Sequence, residues 1–211
     1  MKRLLLLSLL VMSFICPQTS AQPRPWKPRW AIISGVGIWS PKDYDANLYR
    51  TSLGFEVGLM YWHRLNTQFI LGYNHIPLQT QQEYWRDLAD TLTFDVWDVT
   101  GSLNTLSLEV RQMFPTDNIN FLYLGVGGEL HYFGDIVGNY EIYGIQQPIK
   151  GTIREERDHT FAAGGYLVPG MFFVFYKRFY VDVGIKAHWM YDGQRNTYWL
   201  NPAFRLGWNF R

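Results

Sequence analysis

Apolar and polar side chains alternate with a period of two along most of the chain after residue 29. Eight segments carry the alternation strongly enough to predict strands, at about 30–40, 51–64, 67–79, 103–114, 119–133, 160–176, 179–191 and 197–210. In the second, Leu53, Phe55, Val57, Leu59 and Tyr61 share one face, and Ser52, Gly54, Glu56, Gly58 and Arg64 the other. In the fourth, Leu106, Leu108 and Val110 oppose Thr105, Ser107, Glu109 and Arg111. In the seventh, Val181, Val183, Ile185, Ala187 and Trp189 oppose Tyr180, Asp182, Gly184, Lys186 and His188. In the last, Tyr198, Leu200, Phe204, Leu206, Trp208 and Phe210 oppose Asn201, Arg205, Gly207 and Asn209. The sixth is apolar on both faces, so the pattern sets no register there. Its Pro169 cannot donate to a ladder and predicts a local bulge.

The connections have a rhythm of their own. Leu65-Asn66, Pro115 to Asn118 and Lys177-Arg178 are short; 41–50, 80–102, 134–159 and, more modestly, 192–196 are longer. Short turns on one rim and long loops on the other are the asymmetry of a membrane barrel, with the short side periplasmic. An even strand count puts both termini on that side. The fold expected is all-β, an eight-stranded antiparallel up-and-down transmembrane β-barrel occupying 30–211. Ten to twelve residues at roughly 3.3 Å each, tilted by about 40°, match an apolar band near 25 Å. Within the loops, Glu83 to Leu92 predicts a short helix. Tyr140 to Gln146 and Gly151 to Arg157, flanking Pro148-Ile149-Lys150, predict a projecting hairpin.

The charges fix which face is inside. A Lys or Arg facing lipid at the bilayer midplane costs about 2–4 kcal/mol. The face bearing Glu56, Arg64, Glu109, Arg111, Glu129, His131, Asp182, Lys186, His188 and Arg205 must therefore point into the barrel. Buried charges persist when paired, so Glu56, Glu109, Glu129 and Asp182 are expected to face Arg111, Lys186 and Arg205. Eight strands enclose just enough space for side chains to fill. The expected lumen is a charge-paired filling, and not a porin channel.

Composition then narrows the compartment. Lys2-Arg3, the apolar run Leu4 to Ile15 and Thr19-Ser20-Ala21 have the order of a secretory signal peptide, 1–21, with Gln22 as the mature N-terminus. Phe14 and Ile15 before Cys16 exclude a lipoprotein signal. Residues 22–29, QPRPWKPR, read as an extended periplasmic lead-in. The one cysteine leaves with the signal, so no disulfide or thiol chemistry is expected. Without Lys2 and Arg3 the 19 basic residues become 17, against 18 acidic, which offers no nucleic-acid surface. No stretch after residue 21 has 18 consecutive apolar residues, which excludes helical spans. Aromatics at 18%, with nine Trp, exceed what a soluble domain needs and suit membrane-interface belts.

Candidate chemistry is sparse. A lipid A deacylase needs His, Ser and a carboxylate within mutual reach, and none of His63, His75, His131, His159 and His188 sits in a His-x-Ser arrangement. Asp158, His159 and Thr160 adjoin at a loop base, where sequence neighbours on a strand point to opposite faces. No His, Asp or Glu pair has metal-ligand spacing. Gly125-Val126-Gly127-Gly128 lies within a strand with no following helix, so it is no nucleotide loop, and inward glycines make room for neighbours. No catalytic residue, metal or cofactor is expected. Loop 80–102 holds Glu83, Asp87, Asp90, Asp95 and Asp98 against Arg86 alone, and its Tyr84, Trp85 and Trp97 are the best partner-binding hint.

The signal ending before Gln22, the eight alternating strands and the closing PAFRLGWNFR together resemble small outer-membrane barrels of the OmpA/OmpX kind and PorT-like barrels of Bacteroidetes. Phe204, Leu206, Trp208 and Phe210 look like the C-terminal signal read by the barrel-assembly machinery, although the terminal residue is Arg211. The resemblance implies a Gram-negative outer membrane, contact with its lipid and lipopolysaccharide, and a structural or surface-binding, non-enzymatic role through loops 80–102 and 134–159, with an envelope protein as partner. The competing readings are a lipid-modifying barrel enzyme and a soluble, lipocalin-like ligand-binding barrel. The last requires the reverse facing of the strands.

Overall fold

The computed structural model describes residues 30–42, 49–64, 66–79, 84–89, 92–116, 120–143, 148–155, 161–175, 178–191, 193 and 195–210, with the backbone alone at 64, 84–89, 92–98, 136, 153 and 155. The expected signal peptide and the 22–29 lead-in fall outside these residues. The strands are β1 (Trp30–Lys42), β2 (Ser52–Arg64), β3 (Thr67–Gln79), β4 (Tyr84–Ala89), β5 (Leu92–Pro115), β6 (Asn120–Phe133), β7 (Ile136–Tyr143), β8 (Ile149–Glu155), β9 (Phe161–Phe175), β10 (Phe179–Tyr191) and β11 (Asn196–Phe210).

Eight of them, β1, β2, β3, β5, β6, β9, β10 and β11, pair antiparallel in that order. The ladder between β1 and β11 closes the barrel. Its geometry follows from the register. Stepping across the pairs from Trp30 leads through Tyr61, Phe69, Val110, Val126, Leu167, Ala187 and Leu200 to Ser40, ten residues above the start. Eight strands with that stagger tilt by about 40° and enclose a radius of about 8 Å, room for side chains and little else.

The facing is the one that the charges require. Val57 and Leu108 are 48% and 59% exposed on the outside, while Glu109 is 1% exposed within. Leucine, valine, isoleucine and aromatic side chains cover the exterior of all eight wall strands. An apolar exterior around a charged interior suits hydrocarbon as the surrounding solvent. It is the opposite of what a soluble ligand-binding barrel needs.

Two local expectations are corrected. Register is continuous through Pro169: Ala187 pairs with Leu167 and Gly184 with Gly170 at the same offset, and Leu124 pairs with Pro169 itself, so there is no bulge. Pro169 interrupts hydrogen bonding without inserting a residue. That register places Ala162, Tyr166, Val168, Phe172 and Val174 inside. The second correction is at Tyr84–Ala89, which is strand β4 and not helix. Its partner, Thr93 to Val96, runs in strand conformation within β5 and satisfies the backbone of β4 by antiparallel pairing. Tertiary pairing overrides the weak helical propensity there. The expected hairpin is present as β7 and β8. Together β4, the upper half of β5, β7 and β8 extend one side of the barrel into a four-stranded sheet beyond the long-loop rim.

Inside, side chains stack in layers. Ala31, Ile33, Met60, Trp62, Ile70, Met113, Phe121 and Tyr180 fill the short-turn end. Trp39, Tyr49, Ile76, Leu78, Leu103, Met190 and Trp199 fill the long-loop end. The ionised residues lie between these two apolar plugs.

Candidate functional site

Alternation on four different strands brings the charges together. Glu56 comes from β2, Glu109 and Arg111 from β5, Asp182 and Lys186 from β10 and Arg205 from β11, all buried. Arg205 is central. Its Nη1 donates to Glu56 Oε1 at 3.2 Å and lies 3.9 Å from Glu109 Oε2, and its Nη2 is 3.0 Å from Asp182 Oδ2. Lys186 Nζ donates to the same Glu56 oxygen at 2.8 Å. Arg111 donates through Nη1 to Asp182 Oδ2 at 2.7 Å and through Nε to Glu109. Three cations meet three carboxylates, so the cluster is formally neutral, as burial demands.

Two tyrosines complete it. Tyr123 Oη donates to Asp182 Oδ1 at 2.6 Å and accepts from Arg205 Nη2 at 3.2 Å, and its ring lies 4.2 Å beneath the Arg111 guanidinium. Tyr166 Oη donates to Glu109 Oε2 at 2.7 Å, with Lys186 Nζ 5.0 Å from its ring centroid. Sequence reasoning missed both. Tyrosine counts as apolar in a period-two pattern, and β9 had no readable register. The signal that could have found them is their position opposite glycines: Gly127 pairs with Tyr166, and a Cβ on Gly127 would strike that ring.

Glu129 departs from its expected partners. It lies apart from the arginines and the lysine, where His188 Nδ1 donates to Glu129 Oε2 at 2.7 Å and His131 Nε2 is 3.5 Å from the same oxygen. His131 Nδ1 is 2.9 Å from Thr105 Oγ1. His188 is held between the rings of Trp39 and Tyr166, at 4.5 and 5.2 Å between centroids. Thr105, His131 and Glu129 thus follow the order hydroxyl, imidazole, carboxylate, the logic of an activated nucleophile. All three are buried beneath the Trp39, Leu103, Met190 and Trp199 layer, so the hydroxyl is shielded from solvent.

The remaining expected residues sit elsewhere. Phe204, Leu206, Trp208 and Phe210 lie exposed on the outer face of β11, paired with Val36, Ser34, Ile32 and Trp30 of β1. Trp85 and Trp97 pair with Asp95 and Asn139 in the projecting sheet, and Tyr84 with Val96; their side chains, like those of Arg64 and His159, are outside the described residues. On the described part of that sheet, Lys150 Nζ is 3.1 Å from Glu141, which accepts from Tyr143 Oη at 2.9 Å, and Val137, Tyr143 and Ile149 are exposed. Among the described residues no group of three His, Cys, Asp or Glu is arranged to hold a metal ion.

No protein-family model matches the chain, and no curated protein matches it. Solved structures do. Neisserial surface protein A (NspA) matches at a TM-score of 0.52 with 9% identity, over 86% of this chain and 97% of that one. Ail of Yersinia pestis matches at 0.49 with 12% identity, over 88% and 100%. The N-terminal β-barrel domain of Pseudomonas aeruginosa OprF matches at 0.43 with 15% identity, over 86% and 98%. The likeness to NspA at such low identity is one of fold: a closed, eight-stranded antiparallel barrel.

Proposed function

We propose that the protein is an integral outer-membrane barrel of a Gram-negative envelope. In this reading a sealed, non-conducting and non-enzymatic wall anchors a surface sheet that binds a partner outside the cell. The single observation that carries it is the facing of the wall. A predominantly apolar exterior encloses a neutralised charge cluster with largely apolar layers on either side of it. Such an interior offers no channel and no reachable nucleophile, which leaves surface chemistry to the sheet built from β4, β5, β7 and β8. The basic, apolar, small order of residues 1–21 supports export through a cleaved signal. The closing strand supports insertion by the barrel-assembly machinery, and the extracellular position of the sheet makes lipopolysaccharide its first neighbour.

Fractionation with heat-modifiability tests the location. The folded chain is expected in the outer-membrane fraction, running with altered gel mobility until boiled. A chain recovered in soluble periplasm, with no mobility shift, overturns it. Mass spectrometry of lipid A from cells with and without the protein tests the absence of enzymatic function, and altered acyl chains would reverse it. Crosslinking from position 143 or 149, both exposed on the described part of the sheet, tests partner binding.

A further inference from the structure

Hydrophobic side chains cover most of the outer wall, and beside single polar residues such as Ser34 and His63 it carries one hydrogen-bonded polar cluster. His75 of β3 and Asn104 of β5 are paired neighbours facing outward at the long-loop rim. Asn104 Oδ1 accepts from Tyr73 Oη at 2.8 Å and lies 2.9 Å from His75 Nδ1, which as its partner must carry the proton. Two donors thus saturate one amide oxygen. The amide NH2 of Asn104 and Nε2 of His75 are left to face the surroundings, the first a donor and the second, in the neutral imidazole, an acceptor. The same cross-strand row continues with aromatic residues on either side, Phe55 opposite His75, Tyr132 opposite Asn104 and Phe161 opposite Tyr132, all exposed. Tyr132 and Phe161 are stacked at 5.3 Å between centroids.

Polar groups on a lipid-facing surface are costly and mark function more often than elsewhere. We infer that the Tyr73, His75 and Asn104 cluster is a lipid-binding site, holding the amide-linked acyl chain of an outer-leaflet lipid of the lipid A class. The chemistry follows from the groups presented. The cluster is built on the outer wall without Lys or Arg, so it does not suit a phosphate. A secondary amide supplies one C=O for Asn104 Nδ2–H and one N–H for His75 Nε2, whereas the ester of a glycerophospholipid only accepts. The aromatic residues flank the cluster along the rim, and the exposed Leu71, Leu106 and Leu108 on the same two strands give the acyl chain an apolar bed down the wall. This inference rests on the outer-membrane reading above.

The test uses the full mature chain refolded into phosphatidylethanolamine vesicles, with or without lipid A, followed by native mass spectrometry of the released barrel. The wild-type chain is expected to retain lipid A in preference to phosphatidylethanolamine. Asn104→Leu combined with His75→Leu removes two hydrogen-bonding groups and is expected to lower lipid A retention about tenfold while leaving phosphatidylethanolamine unchanged. Vesicle flotation and the heat-dependent gel shift establish that the variant is inserted, and Asn104→Gln, which keeps the amide, is expected to restore part of the retention. Equal lipid A retention by an inserted double variant overturns the site and leaves the membrane barrel standing. So does retention of both lipids alike by the wild type. A wild-type chain that neither floats nor shifts overturns the membrane reading and the site with it.

Discussion

At the scale of single residues, Arg205 concentrates the interior energetics, because it contacts Glu56, Glu109, Asp182 and Tyr123. Arg205→Leu leaves carboxylates buried without their counter-charge and is expected to cost about 3–5 kcal/mol, measured by urea unfolding from vesicles. On the opposite face, Val57→Arg is expected to cost about 2–4 kcal/mol in the same measurement, because the new charge meets hydrocarbon. Gly207 tests close packing. It pairs with Tyr180, and a Cβ there would run into the phenol ring, so Gly207→Ala is expected to lower the heat-modifiable fraction. Tyr180→Ala in the same chain should recover much of the loss, a coupling that only direct contact gives. The lumen charges were legible in the sequence because period two and the cost of lipid-facing charge leave them one place to go. Tyr123 and Tyr166 were not, because a phenol fits either face of such a pattern and only the folded register shows which carboxylate each one reaches.

At the scale of elements, β5 shows where local reading runs out. The pattern located its wall portion, 103–114, because one side met the lumen and the other the apolar exterior. The projecting portion from Leu92 alternates only briefly, over Leu92-Thr93-Phe94-Asp95-Val96, before Trp97-Asp98 breaks the pattern, and it lies beyond the wall, where β4 and β7 hydrogen-bond to it. Pro169 teaches the same lesson in reverse, since neighbouring strands hold β9 in register across a residue that weakens it locally. The division between wall and sheet predicts independence. Replacing residues 136–155 by a short Gly-Ser turn removes β7 and β8 yet leaves every wall ladder intact. The shortened barrel is expected to keep its gel shift and insertion, and its failure to fold would show that the sheet is part of the barrel's stability.

At the scale of the whole molecule, the proposed function takes the interior to be closed by the two largely apolar layers and the charge layer between them. Planar-bilayer recordings are expected to show no unitary conductance above the bare membrane; stepwise currents would refute the closed interior. Lys186 reaches Glu56 across 130 residues of sequence and Arg205 reaches it across 149. Pairs so remote in the chain cannot meet until β11 has come round to β1, so they contribute nothing to a half-assembled sheet. An incomplete barrel would carry each of those ions into a poorly solvating setting with its counter-ion still missing. The barrier to insertion is therefore expected to be crossed by all strands together and slowly. The same interlock makes escape from the finished state rare, so persistence in the envelope is a matter of kinetics as much as of equilibrium.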